Sequence, residues 1–243
     1  MSRTDEADGT IRKHSGWLIP LAALVVLFVL SVFFLLYYLV PTPPPLFSEQ
    51  VSPTSDIEPV ALEIGGLKLW VPANYTKFAT ARKGGPRREI ALFALMPDLA
   101  GWSNWNASTF AEDGPTSRVV HMTIRADTIN LSEADRLKRV YSAYFTNPRG
   151  APAPFDLTRY TFREDSGYRA EDLFVGENGA EVVVMRCVRA APDVPNPSCL
   201  RDMRVAKGVA LSYRFKRQKL NHGREIAAGV DKLVATFENS PGR

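Results

Sequence analysis

The chain has 243 residues and carries 30 Lys and Arg against 26 Asp and Glu, so its formal net charge is +4. A surplus this small does not produce the dense basic surface of a nucleic-acid-binding protein, and we expect no nucleic-acid partner. Arginine outnumbers lysine by 21 to 9, a bias that favours a bacterial protein encoded by a GC-rich genome.

The first element predicted along the chain is a transmembrane helix at residues 17–40, a stretch of 24 residues without a charge. A helix of that length spans about 36 Å, which exceeds the roughly 30 Å hydrocarbon core of a bilayer. Trp17 lies at one end of the stretch, and Tyr37 and Tyr38 lie at the other. Aromatic rings settle at these interfacial positions, so the stretch has the features of a single membrane span.

A cleaved signal peptide is the alternative interpretation of this stretch. Its apolar region would have about 7–15 residues and would be followed by a small-residue cleavage site. Here the apolar run is longer and leads into a proline-rich segment without an Ala-x-Ala sequence. We therefore predict an uncleaved signal-anchor.

The cations around the predicted span indicate its orientation. Arg3, Arg12 and Lys13 precede it, and the next Lys or Arg is Lys68. Because positive charge is retained in the cytoplasm, we predict that residues 1–16 form a cytoplasmic tail. The C-terminal part would then lie in the periplasm, attached to the bacterial inner membrane.

A proline-rich linker is predicted at residues 41–59, which contain six prolines and favour extended geometry. The linker is either a spacer that reaches toward another envelope component or a plain stalk. One extracytoplasmic domain is predicted after it, at residues 60–238, with a short C-terminal tail at residues 239–243.

We predict an α+β fold for this domain, an antiparallel β-sheet with two packed helices. Two alternating runs around Gly65-Gly66 predict a β-hairpin. Ser132 and Asp135 have the spacing of a capping box at the start of one helix, and a second helix is predicted from about Asn221. Further strands are predicted at residues 89–96, 119–126, 157–163, 171–175, 181–188, 200–205 and 209–216.

The two halves of the domain resemble each other at a constant offset of 89 residues. The offset pairs Val120 with Val209 in two predicted strands, and Leu137 with Ile226 in the two predicted helices. Each half would be a pseudo-repeat of strands followed by a helix. The alternative is that any two strand–helix units align by their periodicity alone.

Cys187 and Cys199 are the two cysteines of the chain, and they flank a segment with three prolines. An even pair on the oxidising side of a membrane predicts a structural disulfide bond. A redox-active pair would favour Cys-x-x-Cys spacing, and a zinc site needs more ligands, so we expect neither a metal nor a cofactor.

Two tryptophans in one loop, Trp102 and Trp105, are candidate contacts for a ligand or a partner. Exposed, they would stack on sugar rings or anchor a protein. Buried, they would form a small cluster under the loop.

A basic loop provides three further candidate contacts, Arg82, Arg87 and Arg88. It would meet phosphate head groups or an acidic partner, or it would be a solvated hairpin tip.

Catalysis has little support in the sequence, which contains no Gly-x-Ser-x-Gly, His-Glu-x-x-His or Walker motif. His121, on a predicted strand beside Thr123 and Arg125, is the candidate for a periplasmic hydrolase. The sequence therefore favours a non-enzymatic binding or scaffold protein of the cell envelope with a protein partner. Carbohydrate or cell-wall binding through the two tryptophans and hydrolysis through His121 remain the alternatives.

Overall fold

The computed structural model describes residues 17–39, 49–128, 131–178 and 181–239. The predictions for residues 1–16, for residues 40–48 and for residues 240–243 lie outside the described residues. The chain divides into two compact units, Met1–Glu49 and Gln50–Arg243.

The N-terminal unit contains helix α1 (Leu18–Leu39), which has 22 residues. Its segment Ile19–Tyr37 has a mean hydropathy of 3.0 and is not buried against other parts of the protein. At 1.5 Å per residue the helix is about 33 Å long. The predicted apolar helix is confirmed, and it fits a single-pass membrane protein; a signal sequence shares these features.

The C-terminal unit contains two β-sheets. The strands are β1 (Pro59–Ile64), β2 (Leu67–Pro72), β3 (Gly85–Arg87), β4 (Glu89–Leu95), β5 (Val119–Ala126), β6 (Ala151–Ala153), β7 (Leu157–Thr161), β8 (Glu171–Asn178), β9 (Glu181–Val188), β10 (Ser198–Ala206) and β11 (Val209–Lys216). The main sheet is antiparallel, with the order β4-β5-β11-β10-β9-β8-β7-β6, and the small sheet has the order β2-β1-β3.

Three helices belong to this unit. They are the four-residue α2 (Ala107–Phe110), α3 (Glu133–Arg139) and α4 (Gly223–Glu238). The fold is therefore α+β, as predicted, with an apolar N-terminal helix followed by an antiparallel sheet domain with helices.

Helix α3 is shorter than the apolar periodicity predicts. The periodicity continues to Phe145, but the helix ends at Arg139, and a single 3₁₀ turn follows at Tyr141–Tyr144. The hydroxyl of Ser142 donates to the carbonyl of Lys138 at 2.7 Å. A serine that bonds the carbonyl four residues back competes with the helical ladder, which explains the early end.

One face of the main sheet packs against α4 and the small sheet, and we call it the α4 face. It carries Leu211 and Tyr213 of β11 and Met122 of β5, which are all buried. From α4, the second predicted helix, Ile226 and Val230 contribute to the same cluster. This is the larger hydrophobic core of the domain.

The opposite face, which we call the α3 face, has two smaller clusters. One joins Tyr141 after α3 to Leu173 and Val184 of the sheet. The other joins Phe93 of β4 to Val119 of β5. Residues alternate between the two sides of a strand. Every second residue of the strands that carry these clusters therefore lies on the α3 face, including the polar side chains between the two clusters.

The predicted repeat is matched in its strands and differs in its helices. Strands β5 and β11 are antiparallel neighbours, and both Val120 and Val209 belong to the larger core. Leu137 of α3, however, packs in the smaller Tyr141 cluster, whereas Ile226 of α4 packs in the larger core. An internal duplication stays a prediction.

Candidate functional site

The junction between the two halves of the main sheet lies at β9 and β10. These strands pair at two positions, Cys187 with Cys199 and Arg186 with Leu200. The sulfur atoms of the two cysteines are 1.96 Å apart, at disulfide distance, in agreement with the predicted pair. The bridge therefore joins the half-sheets where their ladder is shortest.

Beyond these two pairs, a charged side chain enters the gap between the strands. The backbone N–H of Val184 in β9 donates to Oε1 of Glu133 at 2.9 Å. The same carboxylate accepts two hydrogen bonds from Arg201 of β10, at 2.9 and 2.7 Å. Glu133 thus links α3 to both strands.

Arg201 is the centre of a closed group of charges, which we call the Arg201 cluster: Arg201, Glu133, Tyr213 and Asp231. The Arg201 side chain is fully buried, and its guanidinium also donates to the Tyr213 hydroxyl and to Asp231, both at 3.3 Å. Burial opposes the charge of Arg201, but the hydrogen bonds and charge of Glu133 raise its pKa above the ordinary value. Burial likewise raises the pKa of Tyr213. Arg201 uses its hydrogen-bond donors on the other three side chains of the cluster. We therefore assign the cluster a structural role.

The two candidate tryptophans in the loop between β4 and β5, residues 97–118, differ in their exposure to solvent. Trp102 is half-buried and packs with Phe93 and Phe110. Trp105 is 97% exposed. Trp102 therefore belongs to a small cluster beneath the loop, whereas a ligand or partner contact by Trp105 stays a prediction.

The segment that presents Trp105 is held by hydrogen bonds on both sides. Asn106 accepts from the N–H of Ser103 at 2.7 Å and donates to the carbonyl of Gly101 at 3.1 Å. Asn74 accepts at its backbone carbonyl from the N–H of Trp102 and donates from its side chain to the Trp102 carbonyl, at 2.9 and 3.3 Å. A Cβ on Gly101 would lie 2.5 Å from the Asn74 side chain, so glycine is required at this close approach. The exposed indole therefore stands on a fixed backbone.

A pocket lies on the α3 face between this loop and strands β5 and β11, and we call it the cationic pocket. Its lining residues are Asp113, Val119, His121, Ser198, Arg214, Phe215 and Lys216. His121 is directly opposite both Phe93 and Arg214 in the sheet. Strand pairing thus assembles a site from positions that are far apart in sequence.

The potential in the cationic pocket is positive. Burial, with the charges of Lys77, Arg214 and Lys216, lowers the pKa of His121 to about 4, although Asp113 opposes this. His121 is therefore neutral at pH 7. The hydrogen bond and charge of Lys216 hold the pKa of the Asp113 carboxyl below its ordinary value.

His121, the candidate for the alternative hydrolase, forms no Ser-His-Asp triad with the described residues of this pocket. A serine hydrolase needs a histidine that hydrogen-bonds to its acid. Nδ1 of His121 is buried and has no hydrogen-bond partner among the described residues. The Asp113 carboxylate instead accepts from Nζ of Lys216 at 2.7 Å. Ser198, His121 and Asp113 line one pocket without being connected.

The three arginines of the predicted basic loop do not form one patch. Arg82 donates to the carbonyl of Ser52 at 2.8 Å, and Arg87 donates to the carbonyl of Thr80 at 2.6 Å. Both guanidinium groups hold the local backbone, while Arg88 is exposed. The segment is a short strand parallel to β1 rather than a hairpin tip.

Within the described residues, no group of three or more His, Cys, Asp or Glu side chains is arranged to hold a metal ion.

Comparison with known proteins gives a fold and no family. No protein-family model matches the sequence, and no curated protein matches it. Among solved structures, the chain is similar to an immunity protein of the Stenotrophomonas maltophilia type IV secretion system, with a TM-score of 0.52 and 15% identity. The match covers 74% of this chain and 93% of that one. At this identity the likeness shows a shared fold.

Proposed function

We propose that the chain is a non-enzymatic, single-pass protein of a bacterial inner membrane whose periplasmic domain binds a protein partner. The apolar helix α1, the cations before it and the disulfide pair support this placement. In this proposal, residues 17–40 anchor the protein, residues 41–59 are the linker, and residues 60–238 are the binding domain.

The observation that carries the proposal is Trp105. An exposed tryptophan offers a large apolar surface with one polar atom, the composition that dominates binding energy in protein interfaces. Because the backbone beneath it is already held by Asn74 and Asn106, binding loses little conformational entropy there. The geometry is that of a preformed contact.

The similar solved structure suggests the kind of partner. It is an immunity protein of a secretion system. We therefore propose an immunity-type role, in which the domain binds a toxic protein that reaches the periplasm and blocks its action. The shared fold alone does not imply this role, so it requires a direct test.

A competition between sibling strains tests the proposed role. Cells that lack the protein should be outcompeted by wild-type siblings, and the wild-type gene should restore survival. Trp105→Ala, expressed at an equal level, should restore it poorly. Phe155→Ala is the matched control, since Phe155 is another exposed aromatic residue, 51% accessible, on a different hairpin. Full protection by Trp105→Ala would refute the role assigned to this residue.

Carbohydrate or cell-wall binding is the second candidate, because an exposed indole also stacks on sugar rings. It is less well supported, since Trp102 packs against Phe93 and Phe110 and does not provide a second exposed platform. Cell-wall fragments should change the tryptophan fluorescence of the wild type and leave Trp105→Ala unchanged if this candidate is correct.

A further inference from the structure

The cationic pocket contains more positive charge than its own carboxylate balances. Three cations act on His121, from Lys77, Arg214 and Lys216, and one anion acts on it, from Asp113. The three cations come from β11 and from the segment that precedes β4, and Asp113 comes from the 97–118 loop. The pocket is therefore prepared for an additional negative group.

The single ion pair in the pocket is asymmetric. The Lys216 side chain is 14% exposed, whereas its partner Asp113 is 91% exposed. A lysine side chain that is mostly buried along its length is held in place by the anion at its end, so Lys216 favours an anionic partner. An exposed carboxylate, in contrast, loses little when it moves into water. Asp113 is thus the replaceable member of the pair.

Two other polar side chains, His121 and Arg214, line the pocket. Nδ1 of His121 is buried without a hydrogen-bond partner among the described residues. Arg214 is exposed at the pocket and presents a guanidinium, which matches the two oxygens of a carboxylate. Arg214 and Lys216 would contact a bound carboxylate, and the His121 ring would lie beside it.

We propose that the cationic pocket binds a carboxylate of an acidic segment of the partner protein, in place of Asp113. This inference rests on the proposed function, since it names the chemistry by which the same partner is recognised. Asp113 holds the position in the free protein and is exchanged for the partner's carboxylate on binding.

A carboxylate is favoured over other anions by the occupant that the structure shows. The group at Nζ of Lys216 is already a carboxylate, at 2.7 Å, so the geometry suits this anion. The 97–118 loop carries both Trp105 and Asp113, the residue of this loop that lines the pocket. One partner surface with an apolar contact and an acidic contact would use both features of this loop.

Hexaglutamate is a suitable probe, with the full-length protein in lipid nanodiscs and ¹⁵N-labelled histidine observed by NMR. Hexaglutamine serves as the neutral control, and inorganic phosphate serves as the alternative anion. We expect hexaglutamate to shift the His121 resonances and to raise its pKa by about one unit, since a nearby anion favours the imidazolium. Hexaglutamine should have no effect.

Variants locate the binding. Lys216→Gln should weaken hexaglutamate binding at least tenfold, and Arg214→Gln should do the same at an exposed position where folding is not at risk. Asp113→Asn should strengthen binding several-fold, because it removes the competing carboxylate. Lys207→Gln is the matched control in the exposed turn between β10 and β11 and should bind like the wild type.

Three results would overturn the inference. The first is an equal response to hexaglutamate and hexaglutamine. The second is unchanged binding in both Lys216→Gln and Arg214→Gln. The third is a response to phosphate alone, which would make the pocket a site for a small inorganic anion.

The pocket and the proposed function can fail separately. If Trp105→Ala abolishes protection while Lys216→Gln and Arg214→Gln protect fully, the function stands and the pocket inference fails. If hexaglutamate binds as expected but loss of the protein has no effect in the sibling competition, the immunity-type role fails and the pocket remains a carboxylate site.

Discussion

The Arg201 cluster and the cationic pocket are both built from charged side chains of the same sheet, but their charges are matched to different degrees. In the Arg201 cluster, a fully buried guanidinium meets two carboxylates and a hydroxyl. In the cationic pocket, Lys216 meets one exposed carboxylate, and the exposed Arg214 can contact a further group. The first arrangement fixes the fold, and the second leaves capacity for a ligand.

The difference follows from what covers each group. Arg201 hydrogen-bonds to Glu133 of α3 and to Asp231 of α4. Its partners therefore come from rigid elements. The cationic pocket is covered only by the 97–118 loop, whose Asp113 remains in contact with water. Charged side chains that helices cover therefore have a structural role, whereas charged side chains beside an exposed loop remain available to a ligand.

The largest effect is expected when the closed cluster is broken at Glu133. Glu133→Gln leaves Arg201 buried without its main charge partner, and this should lower the free energy of unfolding by about 3–5 kcal/mol. Chemical denaturation of the full-length protein in detergent measures it. Glu238→Gln, at an exposed position of α4, is the control. The double variant Glu133→Leu with Arg201→Met should recover most of the loss; an equal or greater loss would show that the cluster itself adds stability.

The second effect concerns the disulfide beside this cluster. Replacing Cys187 and Cys199 by alanine should cost about 3 kcal/mol, because the bridge restricts the unfolded chain and joins β9 to β10. For a domain of this size, the loss corresponds to a fall in Tm of about 6–12 °C. Reductant should produce the same fall in the wild type and none in the double variant. A reductant effect on the double variant would assign the change to another cause.

The third effect separates the two tryptophans of the 97–118 loop. Trp102→Ala removes packing against the cluster of Phe93, Leu95 and Val119 and should cost about 2 kcal/mol of stability. Trp105→Ala should change stability by less than about 0.5 kcal/mol, since the side chain is exposed. Thermal unfolding of the two variants under identical conditions makes the comparison. Equal losses would contradict the different roles assigned to them.

The smallest effect is a pH dependence caused by His121. Its pKa falls from 6.5 to about 4 on folding, so the unfolded chain binds more protons between these values. Stability should therefore decrease as the pH falls from about 6.5 to 4, by at most about 2 kcal/mol at pH 5, and less where solvent screens the charges. His121→Phe should remove this part of the acid sensitivity. The size of this pH dependence is set by burial and by the charged groups that act on the ring, which are Lys77, Arg214, Lys216 and Asp113.

Much of the fold can be predicted from local patterns. The alternation of apolar and polar residues predicts the hairpin around Gly65-Gly66 and strand β5, because half-buried strands alternate with period two. The end of α3 was missed, since the periodicity continues through Tyr141 although Ser142 breaks the helical ladder. Patterns of hydrophobicity do not report such side-chain competition.

The site was less predictable, because it depends on strand pairing over long separations. Arg201 has the same appearance in the sequence as any arginine in a strand, and its buried role follows only from the approach of Glu133, 68 residues away. The tryptophan loop was recognised, but the sequence does not say which indole is buried. The sequence singles out His121 as one of few histidines, but Arg214 and Lys216 join it only through the antiparallel pairing of β5 with β11.

The short ladder between β9 and β10 has a consequence for the biogenesis of the protein. Its covalent support forms only in an oxidising compartment, so under reducing conditions β9 and β10 are held by two ladder pairs, by Glu133 and by the packing of the larger core. We expect the reduced domain to be less stable and more open at this junction than the oxidised domain. Rapid proteolysis of the reduced chain between residues 189 and 197, with resistance after oxidation, would show that the disulfide bond stabilises the junction of β9 and β10.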